Sequence, residues 1–260
     1  MQIVGVIMSV AKRRQLIINR LYASGFVDNK EIAEELGVSV DTIRRDMRYL
    51  SKKGLVERTH GGANLIDAWG IPVAKSVDPM LPAKRKIGFK ALDLFRQEEA
   101  IAIDIGNTTF CFAIALAGHP PTESLTVVTN DFRVGGHLSS VPNITVNLTG
   151  GMVGHRSYMW GPISESVVKM LYFDTAFMAT SGLTIEEGLT DPNPEVATIK
   201  KAMINNAKRV VLLADHTKFG RRHLAAVADL KKIDAIVTDK CVSTEYQQEL
   251  ENRGIRLYIA

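Results

Sequence analysis

The 260-residue sequence predicts a two-part protein: a small winged helix-turn-helix head, then a larger α/β domain on a doubly wound, mostly parallel sheet. Three observations predict this. The first quarter shows helical periodicity cut by glycines, and the region after residue 82 alternates continuous apolar runs with helical segments. Between them lies an aperiodic stretch carrying Pro72 and Pro79. The head is therefore assigned to residues 10–66, a linker to 67–81 and the α/β domain to 82–260.

Charge is unevenly placed. Residues 1–66 carry 11 Lys and Arg against 7 Asp and Glu, whereas the rest balances 21 against 21, so the net +4 lies in the head. Nucleic acid is one partner such a segment fits. Cys111 and Cys241 are isolated within apolar stretches, giving neither a metal-ligand spacing nor a disulfide framework. No metal or cofactor is expected, and a reducing cytoplasm is the default compartment. Residues 1–8 are apolar but short, and Lys12, Arg13 and Arg14 follow them, the reverse of a secretory signal; Met8 is a second candidate start. No apolar run is long enough to span a bilayer, so no membrane partner is expected.

Residues 12–23 read as a helix with Leu16, Ile17, Ile18 and Leu21 facing inward, and Gly25 stops it. Asp28 caps a second helix, in which Ile32, Ala33 and Leu36 face inward, and Gly37 ends it. Ser39 caps a third helix reaching about Lys53. Two helices joined by so short a glycine turn form a helix-turn-helix.

In the third helix Ile43, Met47 and Leu50 share the inward face. At about 100° per residue the opposite face carries Asp41, Arg45, Arg48 and Lys52, flanked by Thr42 and Arg44. Such a row suits the major groove, with early residues reaching base edges and later cations reaching phosphates. Asp41 can hold Arg45 at i, i+4. A merely solvated charged face is the alternative. After Gly54, residues 55–59 and 63–66 read as strands around the turn His60-Gly61-Gly62, making a wing whose Arg58 and His60 lie near the DNA backbone.

The segments Glu31-Ile32-Ala33, Val38-Ser39, Thr42-Ile43-Arg44-Arg45-Asp46, Gly54-Leu55, Arg58 and His60-Gly61-Gly62-Ala63 resemble the DeoR-type bacterial regulators. The resemblance implies a winged helix that binds operator DNA, usually in repression.

Pro82 opens a helix from Ala83 to about Gln97. Strands follow at residues 100–105, 125–129, 144–148, 175–179, 209–214, 235–238 and 256–259, and helices at 110–117, 132–139, 162–171, 195–206 and 244–253. Ligands of such sheets bind beyond the carboxyl ends of the strands. There stand Asp104-Ile105-Gly106-Asn107-Thr108-Thr109, Thr129-Asn130-Asp131, Thr149-Gly150-Gly151, Ser181-Gly182 with the loop 186–193, and Asp215-His216-Thr217-Lys218. Glycine, amide and hydroxyl groups opening a helix make an anion cradle. Each loop alone is ordinary turn chemistry; five in succession fit a polyol-phosphate site.

The segments Asp104-Ile105-Gly106 with Thr108-Thr109, Val128-Thr129-Asn130, Thr149-Gly150-Gly151, Gly161-Pro162, Ser181-Gly182, Glu195 with Lys200, and Asp215-His216-Thr217-Lys218-Phe219-Gly220 resemble the sensor half of the same family, whose domain is related to sugar-phosphate isomerases and CoA transferases. The resemblance implies an effector such as a phosphorylated sugar. Gly106, Asn107, Thr108 and Thr109 would hold its anionic group with Thr149, Gly150 and Gly151. Asp104, Asn130, Glu195, Lys200, Asp215 and Lys218 would line the sugar part or support its loops. Asn107 stands where threonine or serine is common, and His216 where serine is.

The leading expectation is a ligand-controlled repressor, self-associated as a dimer or tetramer. An enzyme retaining an isomerase-like or deaminase-like site, and a scaffold whose basic head binds other acidic surfaces, are the alternatives. No catalytic residue is assigned, because no acid/base pair, metal motif or nucleophile elbow is legible.

Overall fold

The computed structural model describes residues 9–65, 78–96, 100–153 and 158–260. Most of the expected linker, the short apolar start, Ile66 of the wing and the predicted end of the helix at Gln97 lie outside these residues. The chain divides into two compact units, Met1–Pro79 and Met80–Ala260.

In the first unit, Ser9 caps α1 (Val10–Ser24) and Gly25 closes it in the left-handed conformation. β1 (Phe26–Asp28) follows, and the Asp28 carboxylate caps α2 (Asn29–Glu35) by accepting from the Lys30 and Glu31 amides. Ser39 caps α3 (Val40–Lys52), after which come β2 (Val56–Arg58) and β3 (Gly62–Leu65). Ile17, Leu21, Ile32, Ala33, Ile43, Met47 and Leu50 form one buried core with Val27, Val56 and Ala63 of the strands. The periodicity predicts all three helices. It misses β1, which pairs antiparallel with β3, making the wing three-stranded in the order β1-β3-β2. A three-residue strand that starts after a glycine stop and ends on the aspartate cap is too short to show alternation.

The second unit opens on α4 (Leu81–Lys90), which tightens into a 3-10 turn at Ala91–Leu94, short of the predicted Gln97. Next come β4 (Ala100–Ile103), α5 (Asn107–Gly118), β5 (Leu125–Thr129), α6 (Phe132–Leu138), β6 (Ile144–Leu148), β7 (Met152–Val153), β8 (Met159–Trp160) and α7 (Pro162–Lys169). Then follow β9 (Phe173–Met178), β10 (Gly182–Thr184), β11 (Gly188–Asp191), α8 (Pro194–Asn205), β12 (Ala207–Leu213), β13 (Ala225–Ala228), β14 (Ala235–Thr238), α9 (Thr244–Asn252) and β15 (Arg256–Ile259).

The seven predicted strands are the seven strands of one parallel sheet, ordered β15-β14-β12-β9-β4-β5-β6. Its two faces are buried separately. Ile101 and Ile103 of β4 join Phe112, Val127, Phe177 and Val211 on one side, while Ala102 joins Met178, Met203, Leu212 and Ile236 on the other. Burial on both faces is why these strands read as continuous apolar runs. From β4 the chain winds outward through β5 and β6, then returns across β4 to β9. The topological switch therefore lies between β4 and β9, where such sheets open a crevice.

Two expectations are corrected. Residues 186–193 do not form a plain loop: β11 runs through them in a small antiparallel sheet, β10-β11-β13. The helix expected from Phe110 begins at Asn107, because β4 ends at Ile103 and the two threonines enter the first helical turn.

Candidate nucleic-acid interface and ligand site

Ser39 and the inward triad Ile43, Met47 and Leu50 fix the rotation of α3, so its outer face is determined. Asp41, Arg44, Arg45, Arg48 and Lys52 are all exposed on it, and Thr42 is half-buried at the edge. The hydroxyls of Ser39 and Thr42 lie 2.9 Å apart within the cap. Asp41 pairs with Arg44 at 3.2 Å rather than with Arg45, a correction of one residue. Arg48 Nε donates to the Arg44 carbonyl at 3.3 Å. Arg45 and Lys52 carry no ion pair among the described residues, which leaves both charges available to an outside anion.

Not every cation of the head is so placed. Arg13 and Arg14 of α1 both donate through Nε to buried Asp46, at 2.6 and 2.7 Å, and the Arg14 guanidinium lies 3.6 Å from the centre of the Tyr49 ring. The net charge of the segment therefore overstates its free positive surface. An acid three residues after inward Ile43 and next to inward Met47 is the signal for this internal pairing.

At the wing, Arg58, His60 and Gly61 are exposed. Gly62 is buried in β3, where a Cβ would stand 2.0 Å from the Val27 carbonyl oxygen and 2.7 Å from the Phe26 ring. Its place is in the sheet, with Gly61 left on the surface. The Gly61 carbonyl accepts from the Asn29 amide at 2.9 Å, tying the turn to α2.

The second site lies along the carboxyl ends of the parallel strands. Asp104, directly after β4, is fully buried. Its Oδ2 accepts from Lys200 Nζ of α8 and from the Ala179 amide at 3.1 Å, and Lys200 also donates to the Ala179 carbonyl at 2.9 Å. Burial raises the Asp104 pKa above the ordinary carboxylate value, and the neighbouring lysine opposes that rise. Asp104 Oδ1 has no hydrogen-bond partner.

Gly106 crosses the switch point at φ 153°, and a Cβ there would meet that of Ala179 at 2.7 Å. Only glycine fits so close an approach. No side chain caps the N-terminus of α5 behind it. Thr108 and Thr109 are buried, and the Thr109 hydroxyl donates to the Gly106 carbonyl at 3.0 Å. Asn107 is exposed, and its Oδ1 accepts from Arg133 Nη1 at 2.9 Å. Arg133 is itself paired with buried Asp131 at 2.6 Å, so it joins the loops after β4 and β5. Sequence reasoning passed over Arg133, although it stands two residues beyond the informative Asp131.

Asn130 donates through Nδ2 to the Met159 carbonyl at 3.3 Å, leaving Oδ1 buried without a partner. Thr149 is buried with its hydroxyl 2.7 Å from that of Ser164, a structural engagement at the mouth of the Gly150-Gly151 turn. Both glycines have positive φ. Asp215, after β12, accepts through Oδ1 from the Thr217 amide at 3.0 Å and from the Thr217 hydroxyl, while buried Lys84 of α4 stands 3.7 Å from Oδ2. Lys84 was missed, yet it shares the inward stripe of α4 with Ile87 and Gly88, an anomalous place for a lysine. Lys218 is half-buried. Glu195 is exposed on the first turn of α8, about 140° round the helix from Lys200, and is not brought to Asp104.

Two buried acceptors, Asp104 Oδ1 and Asn130 Oδ1, thus end neighbouring strands of one sheet without hydrogen bonds, whereas Asp215 Oδ2 at the end of β12 faces Lys84 Nζ. Buried polar atoms are normally satisfied, so such atoms ask for donors from outside.

Comparison with known proteins matches both units. Residues 13–68 fit the DeoR-like helix-turn-helix domain, and residues 81–240 the DeoR C terminal sensor domain. The HTH-type transcriptional regulator GlpR of Haloferax volcanii is 34% identical over 251 residues, covering 95% of this chain and 97% of that protein. The L-fucose operon activator of Haemophilus influenzae is 32% identical over 246 residues, covering 94% and 97%. The glycerol-3-phosphate regulon repressor of Escherichia coli is 29% identical over 254 residues, covering 96% and 99%. With a basic helix and wing exposed in the head, polar loops at the ends of a parallel sheet and likeness along nearly its whole length, the chain belongs to the DeoR family of DNA-binding transcription regulators.

Proposed function

We propose that this protein is a repressor of a carbohydrate-utilisation operon, released when a phosphorylated sugar or related metabolite binds its C-terminal domain. The observation that carries this reading is the pair of buried acceptors without hydrogen bonds, Asp104 Oδ1 and Asn130 Oδ1, which end the neighbouring strands β4 and β5 where α5 starts uncapped. Hydroxyls of a polyol supply the missing donors, and a phosphate takes the backbone amides of Thr108 and Thr109 at the positive end of the helix. Lys84, Lys200 and Arg133 are each paired with an acid, Asp215, Asp104 and Asp131, so the helix start rather than these cations supplies the field for the anion. Relatives named for glycerol 3-phosphate and L-fucose support the substrate class, and the activator among them makes the sign of regulation a separate test.

Operator DNA is held by two or more heads of a self-associated protein. Arg45 reads a base edge in the major groove, Arg48 and Lys52 meet phosphates, and Arg58 and His60 of the wing touch the adjacent backbone. The ligand acts by favouring one arrangement of the heads over another, since only differential affinity shifts such an equilibrium. We read the protein as a non-enzyme working in the cytoplasm, where its DNA is. Among the described residues, no helix is long and apolar enough to cross a membrane.

The test is a melting-temperature screen of the full chain against sugar phosphates and sugar acids, followed by operator binding with each hit. A hit that raises the melting temperature and loosens operator DNA supports the reading. Turnover of the hit without operator binding replaces it with an enzymatic one.

A further inference from the structure

We propose that His216, Asp239 and Cys241 form a site for a borderline-soft divalent cation of the zinc type. None of the three is needed by the effector reading above, and their spacing resembles no metal motif in the sequence. The sheet brings them together. β12 and β14 are parallel neighbours, with Leu213 opposite Val237. His216 lies three residues past the first and Asp239 two past the second, so both leave the same edge side by side. Cys241 turns back over them from the loop that follows.

One ligand atom from each residue, an imidazole nitrogen, a carboxylate oxygen and the sulfur, lies within 4.8 Å of both others. Tetrahedral bonds to zinc, at about 2.0–2.3 Å, separate neighbouring ligand atoms by about 3.5 Å. Cys241 is exposed, so rotation of its side chain is the adjustment that brings the three atoms toward that spacing.

The carboxylate is already aimed. Asp239 is buried and accepts from the His216 amide at 2.7 Å through Oδ1, and from the Cys241 amide at 3.3 Å through Oδ2. His216 Nδ1 stands 2.8 Å from the same Oδ2. Backbone amides thus orient the group, as the supporting contacts of metal ligands do. The donor set also decides the cation. Nitrogen, sulfur and a single carboxylate suit zinc, cobalt(II) or nickel(II) rather than calcium or magnesium, which take oxygen. A thiolate and a carboxylate together balance a charge of two. With three protein ligands and one side open to solvent, the fourth position is left for water or an outside group. Such an ion bridges the Asp215–Lys218 turn to the β14–α9 loop, so its occupancy bears on the loop that carries Asp215.

The experiment uses untagged full-length protein, reduced and stripped with chelator, titrated with cobalt(II) chloride and then with zinc chloride. We expect one cobalt per chain, a saturable thiolate-to-cobalt charge-transfer band, and its loss on adding zinc. Cys241→Ser removes the band, and His216→Ala weakens binding about ten-fold or more. Both changes are on side chains open to solvent, and retention of the thermal unfolding transition shows that the fold is intact. Cys111 is then the only remaining thiol, so a band that survives Cys241→Ser places the metal there and overturns the proposal. Absence of any saturable cobalt spectrum in the wild type overturns it equally.

Discussion

Lys200 reaches across from α8 to donate to Asp104 at the end of β4, and both side chains are almost wholly buried. This pair and the Ala179 backbone clamp the two sides of the topological switch. Removing one partner leaves an uncompensated charge in a dry place. Lys200→Met is therefore expected to lower unfolding stability by about 3–5 kcal/mol, measured as the change in denaturant midpoint at an unchanged slope. A loss within the scatter of replicate curves would show that the pair is solvated in solution.

Asp174, at the start of β9, supplies a pH dependence. The hydrogen bond from Lys208 and that from the Ala100 amide hold its pKa below the ordinary 3.8. A folded-state pKa below the unfolded one means that the unfolded chain takes up the proton more readily. The stabilisation is therefore present above pH 3.8 and lost as pH falls through the folded value. Asp174→Asn is expected to be less stable than wild type at neutral pH, with the gap closing below pH 3.8. Urea titrations of both proteins across that interval check it; a gap independent of pH contradicts the assignment.

On the DNA side, the two kinds of contact separate by salt. Arg45→Ala is expected to cost about 1–3 kcal/mol of operator binding and to relax preference at one base position. Lys52→Ala should weaken all sequences alike and reduce the slope of log affinity against log salt by about one. Fluorescence anisotropy over a salt series distinguishes them, and identical behaviour of the two variants contradicts the division of roles.

The wing offers a paired test of geometry. Gly62→Ala drives a methyl group into the Val27 carbonyl and the Phe26 ring, an overpacking worth about 1–3 kcal/mol. Gly61→Ala meets only Asp28 Oδ2, at an ordinary 3.5 Å, and should leave the melting temperature nearly unchanged. Equal melting of the two variants would mean that β1 does not pair as described.

Asp46 is expected to be indispensable to the head. Asp46→Ala strips Arg13 and Arg14 of their shared acceptor and should lower the stability of the head by about 3 kcal/mol. A circular-dichroism melt in which the head transition does not move argues that the two arginines find other partners.

What could be read in advance follows the physics of each signal. Ile43, Met47 and Leu50 orient α3 through periodicity, and the seven buried strands announce themselves as apolar runs. β1, β7 and β8 have only two or three residues each, too short for any period to emerge. The loops after β4, β5, β6 and β12 were recognisable as candidate site segments because strand polarity alone places them at one edge. Lys84 and Arg133 were not, since they reach the same edge from helices, and a helix surface position says little until its neighbours are known. The composition of the loop marks Thr149, but not the 2.7 Å contact of its hydroxyl with that of Ser164, a partner 15 residues away.

The strand between the first two helices makes the wing and the basic helix a single gauge. β1 is hydrogen-bonded to β3, and Gly61 is tethered to α2, so the tip cannot swing without disturbing the core beneath α3. The offset from the helix to Arg58 and His60 is then a preset length. Sites on DNA whose groove width deviates from that length should be rejected even when every base edge is correct.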